Sequence, residues 1–299
     1  MAPSETEEHT AAEPSIAVIV PVHDRLEMTK RFLEHFRRCA PRHCSAVIID
    51  DGSTDGTSDW IRHHHPEVHL IQATGDAWWA GATNLGIRWA LAEGFQFILT
   101  INNDSVLNED YFTQLVFSAS QMAENTLMGS RLMWANDPLR IWSLGTRICW
   151  SNNRLWEHID QGILWESSCH HGQGLVAADT LCGNGTLIPA EAFRHIGLYD
   201  ATALPQYHAD ADFGLRAAKA GYLIVTNTAL VIKNDPGSSK EITRLWWSIS
   251  HKGSPLYLPA LATILWRWCP CWKIPFLIAG QYLPVAFPFL RRRRHAHSP

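Results

Sequence analysis

The chain has 299 residues, of which 46% are hydrophobic and 18% are charged. This composition suits one large α/β domain with extensions, or two small domains. The formal net charge of −4 gives no reason to expect nucleic acid as a partner. Seven scattered cysteines, an odd number, argue against a complete disulfide framework. Residues 1–14 are polar and acidic without an apolar segment, so we expect a disordered lead-in and, by default, a reducing cytoplasmic location.

The first half of the chain alternates between strand-like and helix-like segments. Short runs of β-branched residues predict buried strands, and apolar residues three or four positions apart predict helices. The predicted elements are a strand at 16–20, a helix at 28–38, a strand at 47–49, a helix at 59–64, a strand at 68–72, a helix at 80–93, a strand at 95–101 and a helix at 111–124. This alternation predicts a mostly parallel sheet with crossover helices.

The second half has a different pattern. Residues 127–165 are rich in tryptophan and asparagine, which predicts mixed strands and long loops. Further along we predict a strand at 187–188, helices at 190–196 and 212–220, and two short strands at 223–225 and 229–232.

The C-terminal segment changes composition again. Residues 256–290 are mostly apolar, but charged residues and several prolines interrupt them, which argues against a transmembrane helix. Four arginines follow at 291–294. An apolar stretch beside an arginine cluster suits an interfacial anchor on anionic lipid, with membrane contact through residues 255–294. A buried C-terminal subdomain with a solvated basic tail is the alternative.

Two adjacent carboxylates follow the strand at 47–49. Asp50 and Asp51 stand at its carboxyl end, where open α/β sheets bind ligands, and the loop at 52–56 is rich in turn-forming residues. A carboxylate there can accept hydrogen bonds from a ribose or a base, which predicts a nucleotide site. An ordinary turn with an aspartate cap is the alternative.

A second polar set ends the most apolar strand. Asn102, Asn103 and Asp104 follow the strand at 95–101 and offer oxygen ligands suited to Mg²⁺ or Mn²⁺. Such an ion would bridge a diphosphate and neutralise its charge as it leaves. The alternative is a polar turn in which these residues cap a helix.

A third acidic site precedes the helix at 212–220. Asp212 suits its N-cap position, and Arg216 lies one turn later, within reach of an ion pair. Asp210 is expected outside the helix, free to face a cleft and to accept a proton from an attacking hydroxyl.

Two glycine-containing loops complete the set. Residues 183–186 (Gly-Asn-Gly-Thr) allow backbone amides to approach a phosphate or an acceptor. The loop that begins at Gly75 leads into a helix in which Asn84 can bond to a ligand. Trp78 and Trp79 could stack on a sugar or a base, although tryptophans more often form core.

Taken in order, these segments resemble the pattern of glycosyltransferase family 2, whose fold is called GT-A. The matching segments are the strand at 16–21 with Val22, His23 and Asp24; residues 50–53; Asn84, Gly86 and Ile87; residues 102–104; residues 183–200; and Asp210, Asp212, Arg216 and Gly221. The resemblance spans residues 15–240 and is greatest to bacterial enzymes that build surface polysaccharide, including rhamnosyltransferase-like members.

The resemblance implies an α/β fold of GT-A type, with a Rossmann-like, mostly parallel sheet flanked by helices. Residues 15–125 would form the nucleotide-binding half, residues 126–240 the acceptor half, and residues 241–299 an apolar helical extension. It also implies residue roles. The nucleotide-binding residues would be Pro21, Val22, Asp24, Asp51, Asn84, Asn102 and Asn103; the metal ligand Asp104; the catalytic base Asp210; and the residues on the acceptor side Trp79, Gly183, Asn184, Asp212 and Arg216.

This chain departs from the family pattern at three places. Asn102 stands where many relatives have aspartate, which predicts weaker metal affinity, and Ala209 replaces the usual glutamate before the base. Where many relatives carry a histidine after the last core strand, this chain has Lys233, Asn234 and Asp235. Either Lys233 replaces part of the metal's charge or Asn234 is a weak ligand.

The implied function is that of a metal-dependent, inverting glycosyltransferase of hexosyltransferase type, using Mg²⁺ or Mn²⁺. It would move a sugar from a UDP- or dTDP-sugar to a saccharide or lipid-linked acceptor, in polysaccharide synthesis on the inner face of the cell membrane. The alternatives are a catalytically silent saccharide-binding protein and a nucleotidyltransferase that forms a nucleotide sugar. The segment at 21–26 lacks the glycine-rich basic loop usual in such nucleotidyltransferases.

Overall fold

The computed structural model describes residues 13–151, 154–234 and 245–287. The strands are β1 (Ile16–Val22), β2 (Cys44–Asp50), β3 (His69–Gln72), β4 (Phe97–Thr100), β5 (Ser105–Leu107), β6 (Thr126–Trp134), β7 (Ile141–Ser143), β8 (Thr146–Ser151), β9 (Arg154–His158), β10 (Leu175–Ala177), β11 (Thr186–Pro189) and β12 (Leu223–Asn234). The helices are α1 (Leu26–Cys39), α2 (Thr57–His64), α3 (Trp78–Ala92), α4 (Tyr111–Gln121), α5 (Ala190–Ile196), α6 (Ala209–Lys219), α7 (Leu245–Ser250), α8 (Leu258–Trp268) and α9 (Ile274–Ala286).

One large sheet runs through the molecule in the order β10-β12-β6-β11-β4-β1-β2-β3. The pairs β1–β2, β1–β4, β2–β3 and β6–β12 are parallel, whereas β11 is antiparallel to both β4 and β6. The apolar runs that predicted β1 and β2 are buried on both faces, as crossover helices require. The predicted α/β class with a mostly parallel sheet is confirmed.

The two halves of the chain share this sheet. Because β11 lies between β4 and β6, residues from the second half complete the core begun by the first. Leu187 and Leu230 pack in one apolar cluster with Val18 and Leu99. The carboxyl ends of β1, β2 and β4 therefore share one edge of the sheet with the loop that precedes β11.

Two sequence predictions of element boundaries are wrong. The predicted strands at 223–225 and 229–232 form one strand, β12, whose pairing with β6 shifts register between Asn227 and Val231. The helix predicted to begin at Asp212 begins at Ala209, after His208 in a left-handed conformation with φ of 74°. Asp210 therefore lies inside the first helical turn, where the positive end of the helix dipole stabilises a carboxylate.

The C-terminal helices α8 and α9 form a small core of their own. Leu261, Ile264, Leu265 and Leu277 pack there against Leu155 of β9. Among the described residues, no helix has both the length and the apolar character needed to cross a membrane. Most of the predicted lead-in, Asp235 and the arginine cluster lie outside the described residues.

Candidate active site

Asp51 organises the loop in front of α3. Its buried carboxylate accepts hydrogen bonds from the backbone amides of Gly75 at 2.9 Å, Ala77 at 3.1 Å and Trp78 at 2.9 Å. These bonds hold Trp78 at a φ of 57°, which a bulky residue rarely adopts. Asp51 thus fixes the shape of the loop at 75–78, and a nucleotide contact of Asp51 itself stays a prediction.

Asp24 joins the loops that follow β1 and β2. Its carboxylate accepts a hydrogen bond from the Thr54 amide at 2.7 Å, and its own amide donates to the Ser53 hydroxyl at 2.9 Å. Gly52 lets the loops approach each other, because a Cβ there would lie 2.7 Å from the Cα of Gly75. The predicted nucleotide loops are therefore close together and linked through backbone amides.

Two of the predicted nucleotide-binding asparagines have other partners. Asn84 is buried and exchanges two hydrogen bonds with the backbone of Tyr199, at 2.8 and 3.1 Å. Asn103 is also buried, and its side-chain amide donates a hydrogen bond to the Thr29 hydroxyl at 3.0 Å. Both side chains support the walls of the site. Val22 is buried in β1, and its carbonyl accepts the Asp51 amide, while Pro21 is partly exposed beside it.

Asp104, the predicted metal ligand, follows a polar turn whose neighbours are linked by hydrogen bonds. Arg25 donates to the Asp104 carboxylate at 2.8 Å. Asn184 accepts from the Asn102 amide at 2.9 Å and donates to the Asn234 side chain at 3.2 Å. The fold therefore brings the residues after β4, before β11 and at the end of β12 to one place.

The residues at this place fit a divalent cation. The Asp104 carboxylate already attracts the Arg25 guanidinium. Two residues before it, Asn102 is joined to Asn234 through Asn184, so that side-chain oxygens of the two asparagines belong to one hydrogen-bonded group. Oxygen donors of this kind suit Mg²⁺ or Mn²⁺ better than a thiophilic metal. Asn234, one of the two candidates left open by the sequence, is thus placed beside the site.

Asp210 lies beside the loop that precedes β11. Its carboxylate accepts a hydrogen bond from the Gly183 amide at 2.8 Å. A Cβ on Gly183 would lie 2.4 Å from the Trp79 ring and 3.4 Å from the Cβ of Asp210, so this glycine is confined between the two side chains. Trp79 also donates from its ring nitrogen to Asn102 at 3.2 Å. Trp79 therefore lies between Asn102, two residues before the predicted metal ligand, and the surroundings of the predicted base.

The groups around Asp210 favour their neutral forms. Burial lowers the pKa of His158 and of His208, although the nearby Asp210 charge opposes this effect. Burial and the Asp210 charge together raise the pKa of the Cys182 thiol to about 12. Asp210 therefore has neutral neighbours. The sequence did not indicate His158 as one of them, because it is a single histidine in a region without a recognisable pattern.

Asp212 and Arg216 lie behind the site. Asp212 is completely buried and accepts from Arg216 at 2.9 Å, Arg267 at 3.2 Å and the Trp268 ring nitrogen at 3.0 Å. Arg216 also donates to the carbonyls of Ile196 and Leu198. The predicted ion pair of Asp212 with Arg216 is present within α6. The bonds that Arg267 and Trp268 donate to Asp212 fasten α6, which carries Asp210, to α8.

Comparison with known proteins agrees with this geometry. Residues 17–175 match the model of the family described as "Glycosyl transferase family 2". An undecaprenyl-phosphate mannosyltransferase of Micrococcus luteus is 25% identical over 230 residues, which are 75% of this chain and 86% of that protein. The dTDP-rhamnosyl transferase RfbF of Shigella flexneri is 22% identical over 208 residues, 70% of this chain and 64% of that protein.

Solved structures show the same fold. The mannosyltransferase PcManGT from Pyrobaculum calidifontis, in complex with GDP-Man and Mn²⁺, aligns with a TM-score of 0.59 at 16% identity, over 97% of this chain and 77% of that one. GalNAc-T7 with UDP, GalNAc and Mn²⁺ aligns with a TM-score of 0.67 at 15% identity, over 96% of this chain and 55% of that one. The predicted GT-A fold is confirmed.

Proposed function

Because the chain belongs to glycosyltransferase family 2, we propose that it is an inverting, metal-dependent hexosyltransferase that uses a UDP- or dTDP-sugar. The observation that carries the proposal is the set of contacts that joins Asn102, two residues before Asp104, to Asp210. It runs through the hydrogen bond of Asn102 with Trp79 and through Gly183, which is confined between Trp79 and Asp210. A donor bound at Asp104 would present its sugar to Asp210 across Trp79.

Asp210 acts as the general base in this proposal. It takes the proton of the acceptor hydroxyl while the hydroxyl oxygen bonds to the anomeric carbon, and the bond from that carbon to the diphosphate oxygen breaks. One displacement inverts the anomeric configuration. The amide of Gly183 fixes the carboxylate, and the neutral His158 and His208 leave its negative charge in place.

Asp104, with Asn102 and Asn234 beside it, would hold Mg²⁺ or Mn²⁺. When bound, the ion supplies positive charge for the leaving diphosphate. This assignment is supported by two of the aligned structures, PcManGT and GalNAc-T7, which are complexes with Mn²⁺. Asp24 and Asp51 keep the loops at 52–56 and 75–78 in the shape that receives the nucleotide.

The proposed acceptor is a saccharide or a lipid-linked saccharide, in cell-surface polysaccharide synthesis. The name of the Micrococcus luteus relative, an undecaprenyl-phosphate mannosyltransferase, supports a lipid-linked acceptor. The enzyme would work in the cytoplasm, peripheral to the inner face of the cell membrane. The apolar C-terminal helices are attached to α6 through Asp212 and would keep the acceptor side near the lipid.

A donor panel tests the proposal. Purified protein is incubated with UDP-, dTDP- and GDP-sugars, with and without Mn²⁺, and the release of nucleoside diphosphate is measured. We expect Mn²⁺-dependent turnover of one UDP- or dTDP-sugar, lost in Asp104→Ala and retained in Asp59→Asn, an exposed carboxylate paired only with Arg62. Turnover that is independent of metal, or retained in Asp104→Ala, would contradict the assignment.

A further inference from the structure

The outward face of α9 is apolar although it is exposed. Leu277, Gly280 and Val285 are buried on the inner side of this helix. Phe276 is 67% exposed and Leu283 is 46% exposed on its outer side. No residue from 274 to 287 carries a formal charge. A helix that is apolar all round is normally enclosed, so the exposed side of α9 requires an apolar surrounding.

The exposed residues share one face. Phe276, Ala279, Leu283 and Phe287 are exposed at intervals of three or four positions, which places them along one stripe of a helix. We call these four residues the apolar stripe. Two tryptophans that precede them in the sequence are also exposed: Trp266 at the end of α8 is 76% exposed, and Trp272 in the connection to α9 is 69% exposed. Exposed tryptophans together with exposed aliphatic and phenyl side chains are typical of proteins that enter a membrane interface.

The charge of the C-terminal segment is opposite to that of the rest. Residues 245–299 contain 7 of the chain's 25 lysines and arginines and none of its 29 acidic residues. The segment thus carries +7 and residues 1–244 carry −11, which together give the chain's −4. A segment that is uniformly positive and exposes apolar side chains is complementary to anionic lipid. It is not complementary to the same segment of a second copy, which has no acidic residue either.

The arginine cluster is close to the stripe by chain length alone. Arg291 is four residues beyond Phe287, and four residues span at most about 14 Å when fully extended. The arginines therefore follow the stripe closely in the sequence and add four positive charges to the same end of the chain.

We propose that the apolar stripe is the surface by which the protein docks onto an anionic lipid bilayer, with Phe276, Leu283 and Phe287 entering the interface and the arginines contacting lipid headgroups. This proposal deepens the membrane location within the proposed function. The outer side chains of α9 lose contact with water, while its inner side keeps its packing on α8 and β9.

Docking has a consequence for the active site. Arg267 and Trp268 of α8 bind the buried Asp212, which lies two residues from Asp210 on α6. His208, at the start of α6, also donates to the Pro255 carbonyl at 3.0 Å. The docked helices are thus bonded to the helix that carries the proposed base. A bilayer on the stripe holds this side of the cleft at a fixed orientation toward a lipid-linked acceptor.

Vesicle co-sedimentation tests the docking surface without donor or acceptor. The full chain is mixed with vesicles of phosphatidylcholine alone or of phosphatidylcholine with phosphatidylglycerol. We expect binding to the anionic vesicles, reduced about tenfold or more in a Phe276→Glu/Leu283→Glu variant, because two carboxylates would enter the interface. The matched control is Phe117→Glu, which alters a 63% exposed phenylalanine on α4 and should bind as the wild type does.

Three further measurements keep the proposal falsifiable if the double variant folds poorly. Phe276→Ser alone should weaken binding, and brominated lipids should quench tryptophan emission from Trp266 and Trp272. Replacing the four arginines at 291–294 with glutamine should reduce binding to anionic vesicles and should leave the melting temperature unchanged.

Three outcomes would overturn the proposal. They are wild-type binding by the stripe variants, equal loss of binding in Phe117→Glu, and a concentration-dependent dimer in the absence of lipid that the stripe variants abolish. The last outcome would assign the stripe to a second copy of the chain. Because the assay contains no nucleotide sugar, failure of the proposed transferase reaction leaves its result unaffected.

Discussion

Two pairs of carboxylates near the site are held by different means. Asp24 and Asp51, on the proposed nucleotide side, accept hydrogen bonds from backbone amides of nearby loops. Asp200 and Asp212, on the proposed acceptor side, are bound by arginine side chains, Arg216 from the same helix as Asp212 and Arg267 from a distant one. Every residue except proline has a backbone amide, so the first pair depends on the shape of the loops. The second pair depends on particular side chains, above all Arg267.

The largest expected effect concerns the base. Asp210→Asn keeps an oxygen that can accept the Gly183 amide but removes the group that takes the proton. We expect kcat to fall by about 10²- to 10⁴-fold while donor affinity is unchanged, because a general base contributes about that factor. Steady-state kinetics and donor titration check this. A variant with kcat within threefold of wild type would identify another base.

The second prediction concerns the buried ion pairs of the acceptor side. Asp212→Asn leaves Arg216 and Arg267 facing a neutral amide, and breaking a buried ion pair costs about 3–5 kcal/mol of the free energy of unfolding. Urea unfolding measures this loss. The matched control, Glu191→Gln, breaks an exposed pair with Arg194 and should cost about 1 kcal/mol or less. Equal losses in both variants would show that the buried ion pairs of Asp212 contribute no more to stability than an exposed pair.

The third prediction concerns Gly183. In Gly183→Ala the new methyl group would overlap the Trp79 ring and displace it, at a cost of about 1–3 kcal/mol. Because Trp79 contacts both sides of the site, kcat should fall about tenfold or more. Gly174→Ala is the control, since a Cβ there meets no atom within 4 Å. Wild-type turnover by Gly183→Ala would show that Trp79 does not connect the two sides.

The fourth prediction concerns pH. Burial lowers the pKa of His208 below its ordinary value of 6.5, so the unfolded chain binds a proton that the folded chain resists. This difference in proton binding at His208 leaves the free energy of unfolding unaffected above pH 6.5 and reduces it as the pH falls below that value. His208→Asn removes the titrating group and should reduce the acid-induced loss between pH 7.5 and 5.5 by about 1 kcal/mol at most. Thermal unfolding across this range would show an unchanged slope if His208 does not contribute.

The smallest expected effect concerns Arg25. It pairs with Asp104 at 2.8 Å and competes there with a cation. Because Arg25 is half-exposed, removing it changes the free energy of Mn²⁺ binding by about 1 kcal/mol or less. Arg25→Ala should therefore bind Mn²⁺ up to about fivefold more tightly. Titration of free Mn²⁺ by electron paramagnetic resonance measures this. Weaker Mn²⁺ binding in the variant would show that Arg25 supports the metal site.

The sequence predicted the strands that lead to Asp51 and Asp104, but it did not predict the partner that Asp212 finds on α8, and the reason is physical. Runs of β-branched residues ending in Asp51 and Asp104 are local signals, and parallel strands place their carboxyl ends together. Even there, the direction of Asn103 toward Thr29 depends on packing against α1. On the acceptor side, the partners Asp212 and Arg267 are 55 residues apart in the sequence, so no local pattern relates them.

Two other features could not have been inferred from local rules. The early start of α6 depends on a left-handed His208, whereas capping preferences favour serine, threonine, aspartate and asparagine. The apolar composition of α9 is evident in the sequence, but which of its sides is exposed depends on its packing against Leu155 and Leu261.

The proposed transferase mechanism requires that Asp104 and Asp210 act on one sugar from opposite sides of Trp79. A crystal structure of Asp210→Asn with Mn²⁺ and the donor identified by the panel tests it most directly. We expect the diphosphate at Asp104 and the anomeric carbon facing residue 210 across Trp79. A diphosphate bound away from Asp104, or a sugar directed away from residue 210, would contradict the account.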